Sequence, residues 1–125
     1  MVLADTSVWI RSLSNRPPFV AGLRKLLDLE EVAGHEMVYG ELLVGDPGGR
    51  KQLLADYQQL HQASVVPHRD VVAFVRHRRF YGRGVGWIDI HLLASAMVNR
   101  LELWTADPRL ATVASELGVS YEIRD

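Results

Sequence analysis

The chain has 125 residues, 48% of them apolar, a formal net charge of −1 and no cysteine. That length suits a single domain over residues 1–125, the apolar share can fill one core, and nothing in the composition marks a disordered or fibrous chain. Absence of cysteine excludes disulfides, thiolate catalysis and zinc–thiolate sites and suits a reducing cytoplasm; no apolar run is long enough to span a bilayer, and Met1-Val2-Leu3-Ala4-Asp5 lacks the basic region of a secretory signal.

Val2 to Ala4 is a short apolar run that predicts a buried strand. Thr6 and Ser7 then offer N-cap chemistry for a helix through Val8, Trp9, Ile10 and Leu13. Pro17-Pro18 breaks the chain ahead of a second helix whose apolar stripe is Phe19, Leu23, Leu26 and Leu27. Val32-Ala33 predicts a second strand, and residues 35–44 a helix stopped by Gly45, Pro47, Gly48 and Gly49. Residues 50–62 predict another helix and Ser64 to Val66 a short strand. Residues 71–79 predict a helix, followed by a loop with Gly82, Gly84 and Gly86, which the sequence marks as mobile. Trp87 to Asn99 is helical, Leu101 to Trp104 a strand, and Asp107-Pro108 reads as an N-cap and first-turn proline opening a helix to Leu117. Gly118 ends it, and Val119 to Ile123 predicts a last strand. Strands alternating with helices imply an α/β fold, with a parallel sheet covered on both faces and a ligand crevice outside the carboxyl ends of its strands.

Four acids stand out against that plan. Asp5 directly follows the first strand and Asp107 lies just past Leu101–Trp104, so the two share a sheet edge if both strands are central. Glu41 lies on one stripe with Met37, Val38 and Val44, and Asp89 stands above Leu92, Leu93 and Ala96, so each interrupts an apolar helix face. Even a neutral polar group buried without a partner costs roughly 2–7 kcal/mol, and arginine is scarce beside these acids in sequence. A shared divalent cation is the economical way to offset that cost, because converging carboxylates alone repel and take up protons. Hard oxygen donors without cysteine favour Mg2+ or Mn2+ over zinc. Such a cation would acidify a bound water, with one of the acids accepting the proton.

Asp5-Thr6-Ser7-Val8-Trp9-Ile10, Gly40-Glu41-Leu42-Leu43-Val44-Gly45, Gly86-Trp87-Ile88-Asp89-Ile90-His91-Leu92-Leu93-Ala94 and Leu103-Trp104-Thr105-Ala106-Asp107-Pro108-Arg109-Leu110 resemble, in order and spacing, the motifs of PIN-domain toxins of the VapC type. The resemblance runs essentially the whole length. It implies a PIN-like three-layer α/β/α fold with a short central parallel sheet. It also implies a cytoplasmic prokaryotic endoribonuclease dependent on Mg2+ or Mn2+, acting as the toxin of a toxin–antitoxin pair, a homodimer silenced by a VapB-like antitoxin. The family's acidic quartet maps onto Asp5, Glu41, Asp89 and Asp107 as metal-holding and catalytic residues; its supporting hydroxyl near the first acid is Thr6 or Ser7, and Thr105 precedes the last. The alternative is a non-catalytic RNA- or antitoxin-binding module on the same fold.

Residues 69–83 hold Arg69, Arg76, Arg78, Arg79 and Arg83 against one acid, Asp70. Arginine grips phosphate bidentately, so Arg76, Arg78, Arg79 and Arg83 are expected RNA-phosphate contacts, set against the plainer reading of a solvated helix face. The five histidines form no ligand pair such as H-E-x-x-H and read as structural or surface. A phosphoacceptor switch needs a lysine after a late strand, whereas Lys25 and Lys51 lie early; a haloacid-dehalogenase-like phosphatase needs an acid at position 7, which is Ser. Helices one and two carry more large apolar residues than one small domain readily buries, which predicts a protein interface there.

Overall fold

A computed structural model describes residues 1–123. Four short parallel strands form one sheet: β1 (Val2–Ala4), β2 (Val32–Gly34), β3 (His61–Gln62) and β4 (Glu102–Trp104), in the order β3-β2-β1-β4. Seven helices flank it among the described residues: α1 (Thr6–Leu13), α2 (Phe19–Asp28), α3 (Glu36–Val44), α4 (Lys51–Gln58), α5 (His68–Arg78), α6 (Trp87–Asn99) and α7 (Pro108–Glu116). β1 and β2 are buried along their whole length, as short apolar strands covered on both faces must be. The chain is an α/β protein with a short parallel sheet flanked by helices, as its alternating strands and helices imply.

The topology positions the site. β1 pairs with β2 on one side and β4 on the other, with Ala4 beside Trp104. The strand order therefore reverses direction at β1, and a crevice opens at the carboxyl ends there. Asp5 and the loop from Thr105 to Asp107 both emerge at that edge.

Several expectations are corrected. Asp5, not Thr6 or Ser7, is the N-cap of α1, its carboxylate accepting from Val8 N at 3.2 Å. α4 stops at Gln58 instead of reaching Gln62, because His61-Gln62 is drawn into the sheet beside Ala33 and Gly34. The third strand is accordingly that pair, and Ser64 to Val66 is not a strand. The expected last strand reduces to one parallel bridge, Leu103 with Ser120, on the edge of β4 away from β1.

The elements carrying the acids are tied through buried polar groups. His35 is fully buried and caps α3: its Nδ1 accepts from Met37 N at 3.1 Å. That assigns the proton to Nε2, which donates to Ser95 Oγ on α6 at 3.0 Å; Ser95 in turn donates to the Ser64 carbonyl at 2.9 Å. Tyr57 of α4 accepts from His35 N at 2.8 Å. Burial pushes the His35 imidazole below its ordinary value, and the Tyr57 hydroxyl well above.

Candidate active site

Asp5 is the anchor, at 4% exposure. Ser7 Oγ donates to its Oδ1 at 2.5 Å, and Thr105 Oγ donates to its Oδ2. Each hydroxyl is itself fixed from the β4–α7 loop: Ala106 N donates to Ser7 Oγ and Asp107 N to Thr105 Oγ, both at 3.0 Å. Two relays thus run from that loop's backbone, through one hydroxyl each, to the two oxygens of Asp5. Burial pushes the Asp5 carboxyl up; the hydrogen bonds from Ser7, Thr105 and Val8 act in the opposite direction.

Asp107 caps α7, its Oδ1 accepting from Arg109 N at 2.9 Å, so it has the capping role that Asp-Pro spacing predicts. Glu41 receives a hydrogen bond from Thr6 Oγ at 2.7 Å. Of the three hydroxyls, Ser7 and Thr105 serve Asp5, and Thr6 serves Glu41.

The expectation that Glu41 and Asp89 sit on buried faces is corrected. Glu41 is exposed and Asp89 half-buried. The stripe of Met37, Glu41 and Val44 does not face the core; with Gly40, Gly45 and Ile88 it lines an open groove of about 550 Å³. Desolvation therefore explains less about Glu41 than its pattern implied.

Electrostatics nonetheless join the four acids. The Asp89 carboxyl is pushed up to about 6, first by burial and then by the charges of Asp5, Glu41 and Asp107. They are neighbours but not a closed coordination shell: among the described residues, no three Asp, Glu, His or Cys side chains gather closely enough to hold a metal ion as they stand. Their chemistry does fit one. All the donors are hard oxygens, and a cation would relieve the repulsion that lifts Asp89.

Arg69, Arg76, Arg78 and Arg79 are exposed on and just past α5, and no contact places them at the acids. Cations at a helix C-terminus also favour its dipole, which accounts for part of the cluster. Arg83 is committed elsewhere, paired bidentately with Glu116 of α7 at 2.7 and 3.1 Å. That pair fixes the glycine-rich loop to α7 at one point. Two features escaped sequence reasoning: the His35–Ser95 link, which a lone histidine does not signal, and the placement of Arg109, whose only cue was its position two residues after Asp107.

The sequence profile of the PIN domain matches residues 2–116. Ribonuclease VapC32 of Mycobacterium tuberculosis, in strain CDC 1551 / Oshkosh and in strain ATCC 25618 / H37Rv, is 40% identical over 121 residues, covering 96% of this chain and 95% of the relative. The crystal structure of PAE2754 from Pyrobaculum aerophilum superposes with a TM-score of 0.56 at 16% identity, over 94% of each chain, a likeness of fold.

Proposed function

The chain is a PIN-domain protein of the VapC type, and from that membership we propose that it is the toxin ribonuclease of a toxin–antitoxin pair, hydrolysing RNA phosphodiester bonds at Asp5, Glu41, Asp89 and Asp107 with Mg2+ or Mn2+. The observation that carries this reading is the shared field at Asp89. Burial first, and then the charges of Asp5, Glu41 and Asp107 from three other segments, lift this one carboxyl to about 6.

When bound, Mg2+ or Mn2+ supplies polarisation of the phosphate and a water acidified toward neutral pH. The chain's own work is to hold the ligands in place. Ser7 and Thr105 lock both oxygens of Asp5, and Thr6 restrains Glu41, so two of the acids are oriented in advance. Asp89 and Asp107 complete the donor set. Arg76, Arg78 and Arg79 supply phosphate contacts of a sequence-independent kind.

A VapB-like antitoxin and a homodimer belong to the same proposal, as does a prokaryotic cytoplasm. Trp9, Leu23 and Leu26 enter the core, but Ile10, Leu13 and Leu27 stay exposed on α1 and α2, and Val44 is 88% exposed beside Glu41. Apolar surface next to an acid cluster suits a partner segment that carries an arginine to the carboxylates.

The test is cleavage of labelled RNA by purified protein. Mn2+ should support cleavage, EDTA should abolish it, and restored Mn2+ should bring it back. Asp5→Asn should lower the rate by roughly a hundredfold or more while the protein stays folded. Cleavage that persists in chelator overturns the metal site; folded wild-type protein that binds RNA and never cuts it is a binding module instead.

A further inference from the structure

The glycine-rich loop between α5 and α6 crosses two charged side chains. A Cβ on Gly84 would lie 2.7 Å from both Cδ and Nη1 of Arg109, and Gly84 has φ +76°, so both the loop's path and Arg109's position require glycine there. Two residues on, a Cβ on Gly86 would lie 3.5 Å from Asp89 Oδ2. The segment from Gly84 to Gly86 therefore has Arg109 against one end and Asp89 against the other. Asp107, two residues before Arg109, is among the acids that raise Asp89. The Arg109 side chain thus lies at the rim of the acid cluster.

Stability does not account for it. Arg109 is the second residue of α7, where a cation opposes the helix dipole. Among the described residues its guanidinium has no hydrogen bond and no ion pair, and the nearest acid in chain order on the same helix, Glu116, is occupied by Arg83. It is an exposed cation with its stem packed under a glycine and its charge unused.

We propose that Arg109 binds an RNA phosphate adjacent to the one held at the acid cluster, positioned by its packing against Gly84. This rests on the ribonuclease reading above. A cluster of four carboxylates repels a polyanion, and a planar cation packed at its rim offsets that repulsion and sets the register of the strand across the acids. Arg83 has the separate task of holding the loop down on α7.

The experiment measures binding of a short fluorescein-labelled single-stranded RNA of mixed sequence, titrated with salt, in an Asp5→Asn background so that the RNA stays intact. Arg109→Gln should weaken binding by roughly tenfold and lower the salt slope by about 0.7, the value for one phosphate contact on a single strand. Arg109→Lys should keep the slope and recover only part of the affinity, because lysine preserves the charge without the bidentate fork. Melting curves report folding, and the thermal shift by Mn2+, measured with Asp5 intact, should be unchanged in Arg109→Gln. Wild-type affinity and slope in folded Arg109→Gln overturn the proposal and leave Arg109 as a strut for the loop. If the slope falls as expected while the parent protein never cuts RNA, the phosphate contact stands and the ribonuclease reading fails.

Discussion

Asp89 is a carboxylate that the fold penalises. Its ordinary value is 3.8 and its folded value about 6, so the folded protein holds this proton over a range in which the unfolded chain has released it. The associated stability is fully present below 3.8 and is lost as pH rises through about 6. In metal-free protein, Asp89→Asn should therefore raise the melting temperature at pH 7.5, with the gain vanishing by about pH 4. The same variant should lose most of the thermal shift that millimolar Mn2+ gives the parent. A variant that melts below the parent at pH 7.5, or that keeps the full Mn2+ response, would show that Asp89 is not part of a repelling, cation-seeking group. Asp5 differs in kind: it is deeply buried, yet hydroxyl donors on both oxygens and a helix cap compensate it.

At the level of elements, the consequential contacts join helices that no sequence period connects. His35 caps α3, which carries Glu41, and bonds to Ser95 of α6, which carries Asp89. It works only as the neutral imidazole, since a protonated Nδ1 cannot accept from Met37. Its folded value lies below the ordinary 6.5, so its stability is present above 6.5 and is lost as pH falls through that lowered value. His35→Asn keeps a capping acceptor but does not reach Ser95, and should cost about 1–3 kcal/mol at pH 7.5. Urea melts should show the gap between parent and variant narrowing toward pH 5, because asparagine does not titrate. A gap independent of pH would mean that His35 acts there by shape alone. The elements themselves were largely legible in the chain: β1, α1, α2, β2, α3, α6, β4 and α7 fall where apolar period, proline and glycine put them. The exceptions are the end of α4 and β3, which carries no local signal of its own and depends on pairing with β2, and the expected last strand, whose local pattern is honoured by only one bridge to β4.

For the whole molecule, the exposed apolar residues of α1 and α2 and the groove beside Glu41 bear on what the protein meets in a cell. If it is a toxin ribonuclease, induced expression without a partner should arrest growth, and Asp5→Asn at matched expression should be tolerated. Equal growth with both proteins removes the toxin reading and leaves RNA cleavage in vitro to be judged separately. Asn is an accepted N-cap, so the variant is expected to keep α1, and a growth difference would then report chemistry more than folding.

The residue types and their spacing were enough to single out Asp5, Glu41, Asp89 and Asp107, because acids that break an apolar strand end or helix stripe are visible without coordinates. The order of strands and helices likewise implied a parallel sheet with its crevice at the carboxyl edge. Folding alone decided how those acids are held. Only when β4 pairs with β1 do Thr105 and Ser7 meet at Asp5 from positions 98 residues apart, and only then does Asp107 come within reach of Asp89. Folding also corrected the burial of Glu41, since a stripe on a helix does not say whether it faces a core or an open groove. Charges along the chain drew attention to the arginines of α5, whereas the loop's glycines lie against Arg109. Hydrogen bonds and electrostatic fields depend on distance in space, which local sequence patterns leave undetermined.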